Sequence, residues 1–257
     1  MRLNNKIALV TGAGSGFGRG IAARFAEEGA KLVVADINEE AAKMVAGEIG
    51  DSAIAVVADV SKNSDVEAMI QQTVAQWGRL DILVNNAGTT HRNKPMTEVT
   101  EEEFDRIFAV NVKSVFLTAR HGVPLMKEQG HGMILNVAST AGLRPRPGLA
   151  WYNTSKGAMI TATKAMAIEL AWFFWRRPNH RRRLHPIVGH DLSVLKAQAK
   201  GDLEGFARQH GIHELALSEG AVNWRGCGKE TLPCPYNFYV NRLGLNTAPC
   251  CREHMAN

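Results

Sequence analysis

Five short apolar runs punctuate the chain up to residue 137, at residues 7–11, 31–36, 53–58, 81–84 and 133–137. None alternates apolar with polar residues. Continuous apolar runs of this length suit strands buried on both faces, as in a parallel sheet. Between them, residues 21–28, 39–49, 65–77 and 101–127 carry apolar side chains at helical spacing. Ser61 and Thr100 are the expected N-caps of the third and fourth of these helices. Strand and helix alternate, so the pattern predicts an α/β fold: a Rossmann-type doubly wound parallel sheet with right-handed crossovers and helices on both faces. In such a sheet a ligand sits beyond the carboxyl ends of the strands.

The segment Thr11-Gly-Ala-Gly-Ser-Gly-Phe-Gly18 follows the first strand and opens the first helix. Gly12, Gly16 and Gly18 allow a tight turn and close approach of the backbone to a pyrophosphate, which the free amides of a helix N-terminus attract. Asp36 ends the second strand, where a carboxylate can accept hydrogen bonds from adenosine ribose hydroxyls and repel a 2′-phosphate. No basic residue compensates: Ser15 lies in the glycine loop and Ile37 follows the aspartate. NAD is therefore expected over NADP. The asparagines of Asn85-Asn-Ala-Gly88 read as residues that satisfy backbone at a strand end. Ser139 ends the fifth strand, and Tyr152 and Lys156 share one helix face at i and i+4.

Taken in order, Thr11-Gly-x-x-x-Gly-x-Gly18, Asp59, Asn85-Asn-Ala-Gly88, Asn111, Ser139 and Tyr152-x-x-x-Lys156 resemble the short-chain dehydrogenase/reductase family, single-domain branch, from about residue 3 to residue 171. The resemblance implies an NAD(H)-dependent oxidoreductase interconverting an alcohol and a carbonyl substrate. It implies Asn111, Ser139, Tyr152 and Lys156 as the catalytic set. It implies cofactor contacts from Gly12, Ser15, Gly16, Phe17, Gly18, Asp36, Ile37, Asp59, Val60, Asn86, Ala87 and Gly88, with Tyr152 and Lys156 adjoining. Tyrosine ordinarily titrates near pH 10, too high for acid–base work at neutrality; the Lys156 ammonium and an oxidised nicotinamide would favour tyrosinate. Ser139 would hydrogen-bond the reacting oxygen, and Lys156 would also hold the nicotinamide ribose. In the family, Asn111 keeps a helix kink and a water linking Lys156 to solvent. A 3-oxoacyl-[acyl-carrier-protein] reductase-like enzyme and a catalytically impaired dinucleotide-binding protein are the alternatives. The family pairs the helices at residues 101–127 and 152–171 across subunits, so a homodimer or homotetramer is expected.

A length of 257 residues suits one domain, but composition shifts after Ala171. All four cysteines, three of the five tryptophans and the Arg176, Arg177, Arg181, Arg182, Arg183 run lie beyond it. The family pattern for a sixth and a seventh strand is lost there. We read residues from about 172 onward as out-of-frame or otherwise aberrant, with a replaced C-terminal module as the alternative. Cofactor binding through residues 12–88 is expected to outlast catalysis in such a chain. The irregular spacing of Cys227, Cys234, Cys250 and Cys251 argues for reduced thiols and no metal site. A net charge of +5 is modest, and the arginine run reads as a solvated loop, so no nucleic-acid partner is expected. No apolar stretch reaches the roughly 18 residues that span a bilayer. With a polar start at residues 1–6 and no signal peptide, a cytoplasmic protein without membrane contact is expected. His91, Arg92, Arg144 and Arg146 flank the candidate site in sequence. They read as surface-loop charges, with a pocket mouth suited to an anionic or polar substrate as the alternative.

Overall fold

The computed structural model describes the backbone of residues 1–175 and the side chains of residues 1–170. The expected break after Ala171, the cysteines and the arginine run lie outside the described residues. Five strands, β1 (Ile7–Thr11), β2 (Lys31–Asp36), β3 (Ala53–Val57), β4 (Ile82–Asn85) and β5 (Met133–Asn136), form one parallel sheet in the order β3-β2-β1-β4-β5. The order reverses between β1 and β4, the switch point at which open α/β sheets hold ligands.

The continuous apolar runs are explained by the two faces. Ala8, Val10, Leu32, Val34, Ile82 and Val84 pack on one side with Ile21, Ala42 and Val45 of α1 (Gly16–Glu27) and α2 (Glu39–Ile49). Leu9, Val33, Val56 and Leu83 face the other side, against Val66 and Met69 of α3 (Asn63–Trp77) and Leu117 and Met126 of α5 (Ser114–Gln129). Each fully buried Leu or Val contributes about 1.5–3 kcal/mol relative to exposure.

Two local expectations need correction. Ser61 does not cap α3: its hydroxyl donates to Asp59 Oδ1 at 2.7 Å, and the helix begins at Asn63 after Lys62. The predicted single helix at 101–127 is broken into α4 (Glu101–Phe108), a five-residue π turn (Ala109–Lys113) and α5. Thr100 does cap α4, in a reciprocal capping box with Glu103. The last described helix, α6, runs Ala150–Trp175.

One buried carboxylate fastens the end of the sheet opposite the ligand side. Asp81, 3% exposed, accepts from the Ile7 amide at 2.8 Å, from Arg79 Nε at 3.0 Å and pairs with His131 Nε2 at 2.7 Å. Burial opposes its ionisation, but the Ile7, Arg79 and His131 hydrogen bonds outweigh burial and hold its carboxyl below the ordinary value. Its folded-state pKa is thus below its unfolded one. Its stabilisation is complete above the unfolded value of about 3.9 and is lost as pH falls through the lower folded value. Asp81→Ala should cost about 2–4 kcal/mol at pH 7, because the Ile7 amide is left buried and unpaired. Urea unfolding at pH 7 and again below pH 3.5 checks this, and the gap between wild type and variant should narrow at the lower pH.

Candidate active site

The carboxyl ends of β1, β2, β4 and β5 bring together the sequence-predicted residues. Ser15 precedes α1 in extended conformation, and no side chain caps the helix N-terminus. Ser15, Gly16 and Phe17 are exposed there. Gly12 and Gly16 take positive φ, +62° and +55°, and nothing lies within 4 Å of where a Gly16 Cβ would stand. The open amides, the absence of side chains and the positive end of α1 fit a pyrophosphate. Gly18 is buried, and a Cβ on it would overlap the Gly12 carbonyl and stand 2.5 Å from Asn86 Nδ2.

Asp36 sits beside this loop. Its Oδ2 accepts from the Gly14 amide at 2.8 Å and its Oδ1 from the Asn38 amide at 3.0 Å. The aspartate therefore shapes the glycine loop, a function the sequence reading did not assign to it. Ile37, next in the chain, is 68% exposed. Asp59 lies at the end of β3, its Oδ1 taken by the Ser61 amide and hydroxyl. Burial works against its ionisation, but the Ser61 bonds and the Lys62 ammonium together outweigh burial and lower its pKa. Val60 is buried among Val56, Val66 and Met69, so an adenine ring would meet its main chain and not its side chain.

The turn after β4 is held by β1. Thr11 Oγ1 accepts from the amides of Asn86 and Ala87, each at 3.1 Å. Asn86 Nδ2 donates to the carbonyls of Thr11 at 2.9 Å and Gly12 at 3.0 Å. Asn86 thus satisfies backbone, as its type suggested; Thr11 was missed, because its part depends on which strand neighbours β1.

Asn111 projects from the π turn and is fully buried. Its Oδ1 accepts from the Thr89 amide at 2.8 Å; its Nδ2 donates to the Thr89 carbonyl and to Ser155 Oγ, each at 2.9 Å. Ser155 Oγ in turn donates to the Tyr152 carbonyl at 2.8 Å. The loop after β4, the π turn and α6 are joined through this one amide.

Ser139 lies three residues beyond β5 and opens the turn Thr140–Gly142, its Oγ accepting from the Ala141 amide at 3.1 Å. That turn lies directly on α6: a Cβ on Gly142 would meet the Gly157 nitrogen and the Lys156 carbonyl carbon, each at 2.7 Å. Tyr152 is partly exposed, whereas Lys156, one helical turn on, is 4% exposed. Lys156 Nζ donates to the Val137 carbonyl at 3.0 Å and contacts Met159 Sδ at 3.4 Å. Burial pulls its ammonium down to about 8. Gly88 closes the arrangement by having no side chain: a Cβ there would stand 3.3 Å from Lys156 Nζ and 3.4 Å from Asn111 Oδ1.

Among the described residues no cluster of three or more His, Cys, Asp and Glu side chains is placed to hold a metal ion. No described helix is long and apolar enough to cross a membrane.

A family model described as short chain dehydrogenase matches residues 6–172. The chain is 56% identical over 174 residues to a 4-formylbenzenesulfonate dehydrogenase of Comamonas testosteroni, covering 66% of this chain and 69% of that one. A crystal structure of 3-ketoacyl-(acyl-carrier-protein) reductase from Brucella melitensis complexed with NADH superposes with a TM-score of 0.67 and 49% identity, covering 72% of this chain and 74% of the other. A crystal structure of NAD+-bound xylitol dehydrogenase gives 0.65 and 34%, over 67% and 68%.

Proposed function

The chain belongs to the short-chain dehydrogenase family of oxidoreductases, and from that premise we propose that it interconverts a secondary alcohol and a ketone with NAD(H), Tyr152 serving as general acid–base. The observation that carries the reading is the packing of the Ser139 turn onto the α6 face that presents Tyr152 and Lys156. Bound at the glycine loop, NAD(H) supplies or accepts the hydride. The Tyr152 phenolic oxygen takes the proton from an alcohol or returns it to a carbonyl oxygen. The Ser139 Oγ already accepts from Ala141, so its O–H remains to donate to the reacting oxygen as negative charge grows there. Lys156 lies one turn from Tyr152; near pH 8 its amine is half protonated, so it can carry a proton as well as a charge. Asn111 is a positioning residue in this scheme, since all three of its bonds hold other elements.

The Asp36 carboxylate favours ribose hydroxyls over a 2′-phosphate, which supports NAD(H) as the cofactor. Fluorescence titration should give at least tenfold tighter binding of NADH than NADPH, about 1.4 kcal/mol, and Asp36→Ser should narrow the gap. Equal affinities in the wild type would overturn the preference. The Brucella melitensis reductase is itself complexed with NADH. Cofactor preference therefore does not decide between a simple alcohol dehydrogenase and a second reading, reduction of a 3-oxoacyl thioester. NADH oxidation assayed against neutral ketones, keto acids and 3-oxoacyl thioesters separates them. Binding of NADH with no turnover on any of the three would favour the non-catalytic dinucleotide-binding alternative. Exposed Phe116 on α5 and Ile168 on α6 support pairing of these helices between two copies in a homodimer or homotetramer.

A further inference from the structure

Two loops border the Ser139–Tyr152 pair, and each carries arginine. Residues 89–94 follow β4, and residues 143–149 join the Ser139 turn to α6. They are tied to each other: Asn93 Nδ2 donates to the Pro147 carbonyl at 3.0 Å and the Lys94 amide to the Gly148 carbonyl at 3.1 Å.

The arginine main chains are held individually as well. The Arg144 amide donates to the carbonyl of Thr140, the residue after Ser139, at 2.8 Å. The Arg146 carbonyl accepts from Nδ2 of Asn153, the residue after Tyr152, at 2.8 Å. The Arg92 carbonyl accepts from Nδ1 of buried His91 at 2.7 Å. Arg92, Arg144 and Arg146 are exposed residues and form no ion pair among the described residues. Lys94, in the same segment, is neutralised by Glu103 at 2.6 Å. The loop pair also holds unspent hydrogen-bonding capacity: buried His91 Nε2 and Asn153 Oδ1 have no partner.

Arginines placed only for solubility need no fixed backbone. Two of these backbones are bonded to the residues that follow Ser139 and Tyr152, the third is joined to them by the loop contact, and arginines so anchored in the sequence around the reacting groups can form a recognition rim. We infer that the substrate carries an anionic group, a carboxylate or sulfonate, remote from the carbonyl, and that Arg144 and Arg146, with Arg92 across the loop contact, receive it. The inference deepens the oxidoreductase reading and rests on it.

The test uses the secondary alcohol 4-(1-hydroxyethyl)benzoate and its neutral methyl ester, titrated calorimetrically into the full chain with NADH already bound, so that neither alcohol can react. The carboxylate should bind about tenfold more tightly at low ionic strength, the combined effect of two or three exposed charge-assisted contacts, and the ratio should shrink with added salt. In the Arg144→Gln, Arg146→Gln double variant the ratio should fall below about two, and the corresponding double lysine variant should keep most of it. Equal affinity for acid and ester, no detectable binding of the carboxylate, or a ratio unchanged in the glutamine variant would overturn the rim. Hydride transfer is followed separately, with the ketone 4-acetylbenzoate and NADH. An anion preference without turnover would sink the oxidoreductase reading while sustaining the rim; turnover without the preference would do the reverse.

Discussion

Replacing Tyr152 with phenylalanine should lower turnover by about three orders of magnitude, within the 10²–10⁴ range of a positioned general acid–base, while the NADH dissociation constant stays within about twofold. The asymmetry follows from where the hydroxyl lies. Among the described residues Tyr152 enters the hydrogen-bond network only through its carbonyl, which accepts from Ser155 Oγ. Removing the phenolic oxygen therefore leaves the Thr89–Asn111–Ser155 linkage whole, and α6 keeps its place. Steady-state turnover and NADH fluorescence titration, run on the same preparations, check both halves. Equal turnover in wild type and variant would remove Tyr152 from the proton path.

Gly18→Ala should abolish detectable NADH binding and lower the melting temperature, an overpacking cost of about 1–3 kcal/mol or more. The added methyl would meet a backbone oxygen, that of Gly12, together with the Asn86 amide that secures the glycine loop to the turn after β4. Neither can withdraw without moving β1 or β4. Gly20, two residues along α1, is the control, because nothing lies within 4 Å of a Cβ placed there. Gly20→Ala should be neutral or stabilising by about 0.5–1 kcal/mol, as alanine for glycine usually is within a helix. Differential scanning fluorimetry with and without NADH distinguishes the two substitutions; similar behaviour in both would mean that the close approach at Gly18 is not what governs the loop.

The sheet was legible in the sequence because β1, β2 and β4 are buried on both sides, and a continuous apolar run is the signature of that burial. The glycine loop, Asp36 and the Tyr152–Lys156 pair were legible because each is a local pattern in one element. What depended on contacts between elements was not. The spacing of Lys156 from Tyr152 says nothing of its burial; it is buried because Val137 after β5 and Gly88 after β4 close over it. His91 reads as a loop charge, yet it is 4% exposed. Ser61 has the right chemistry for a cap and is diverted by Asp59 two residues earlier. Apolar spacing does not mark the break between α4 and α5, since it carries on through Ile107, Val110 and Val115 without a glycine or proline; only the family resemblance implied it, as a helix kink kept by Asn111.

The π turn at Ala109–Lys113 acts as a phase shifter in an otherwise continuous rod. It accommodates one residue more than an α-helical path, and each helical residue turns the chain by about 100°. Losing one residue anywhere within 109–113 would restore a regular helix and swing either Asn111 away from Ser155 or the apolar face of α5 away from the sheet. The two cannot both be kept. Changes of length that the exposed segment at 95–98 could absorb are therefore closed to this stretch, and its residue count is as much a part of the site as the identity of Asn111.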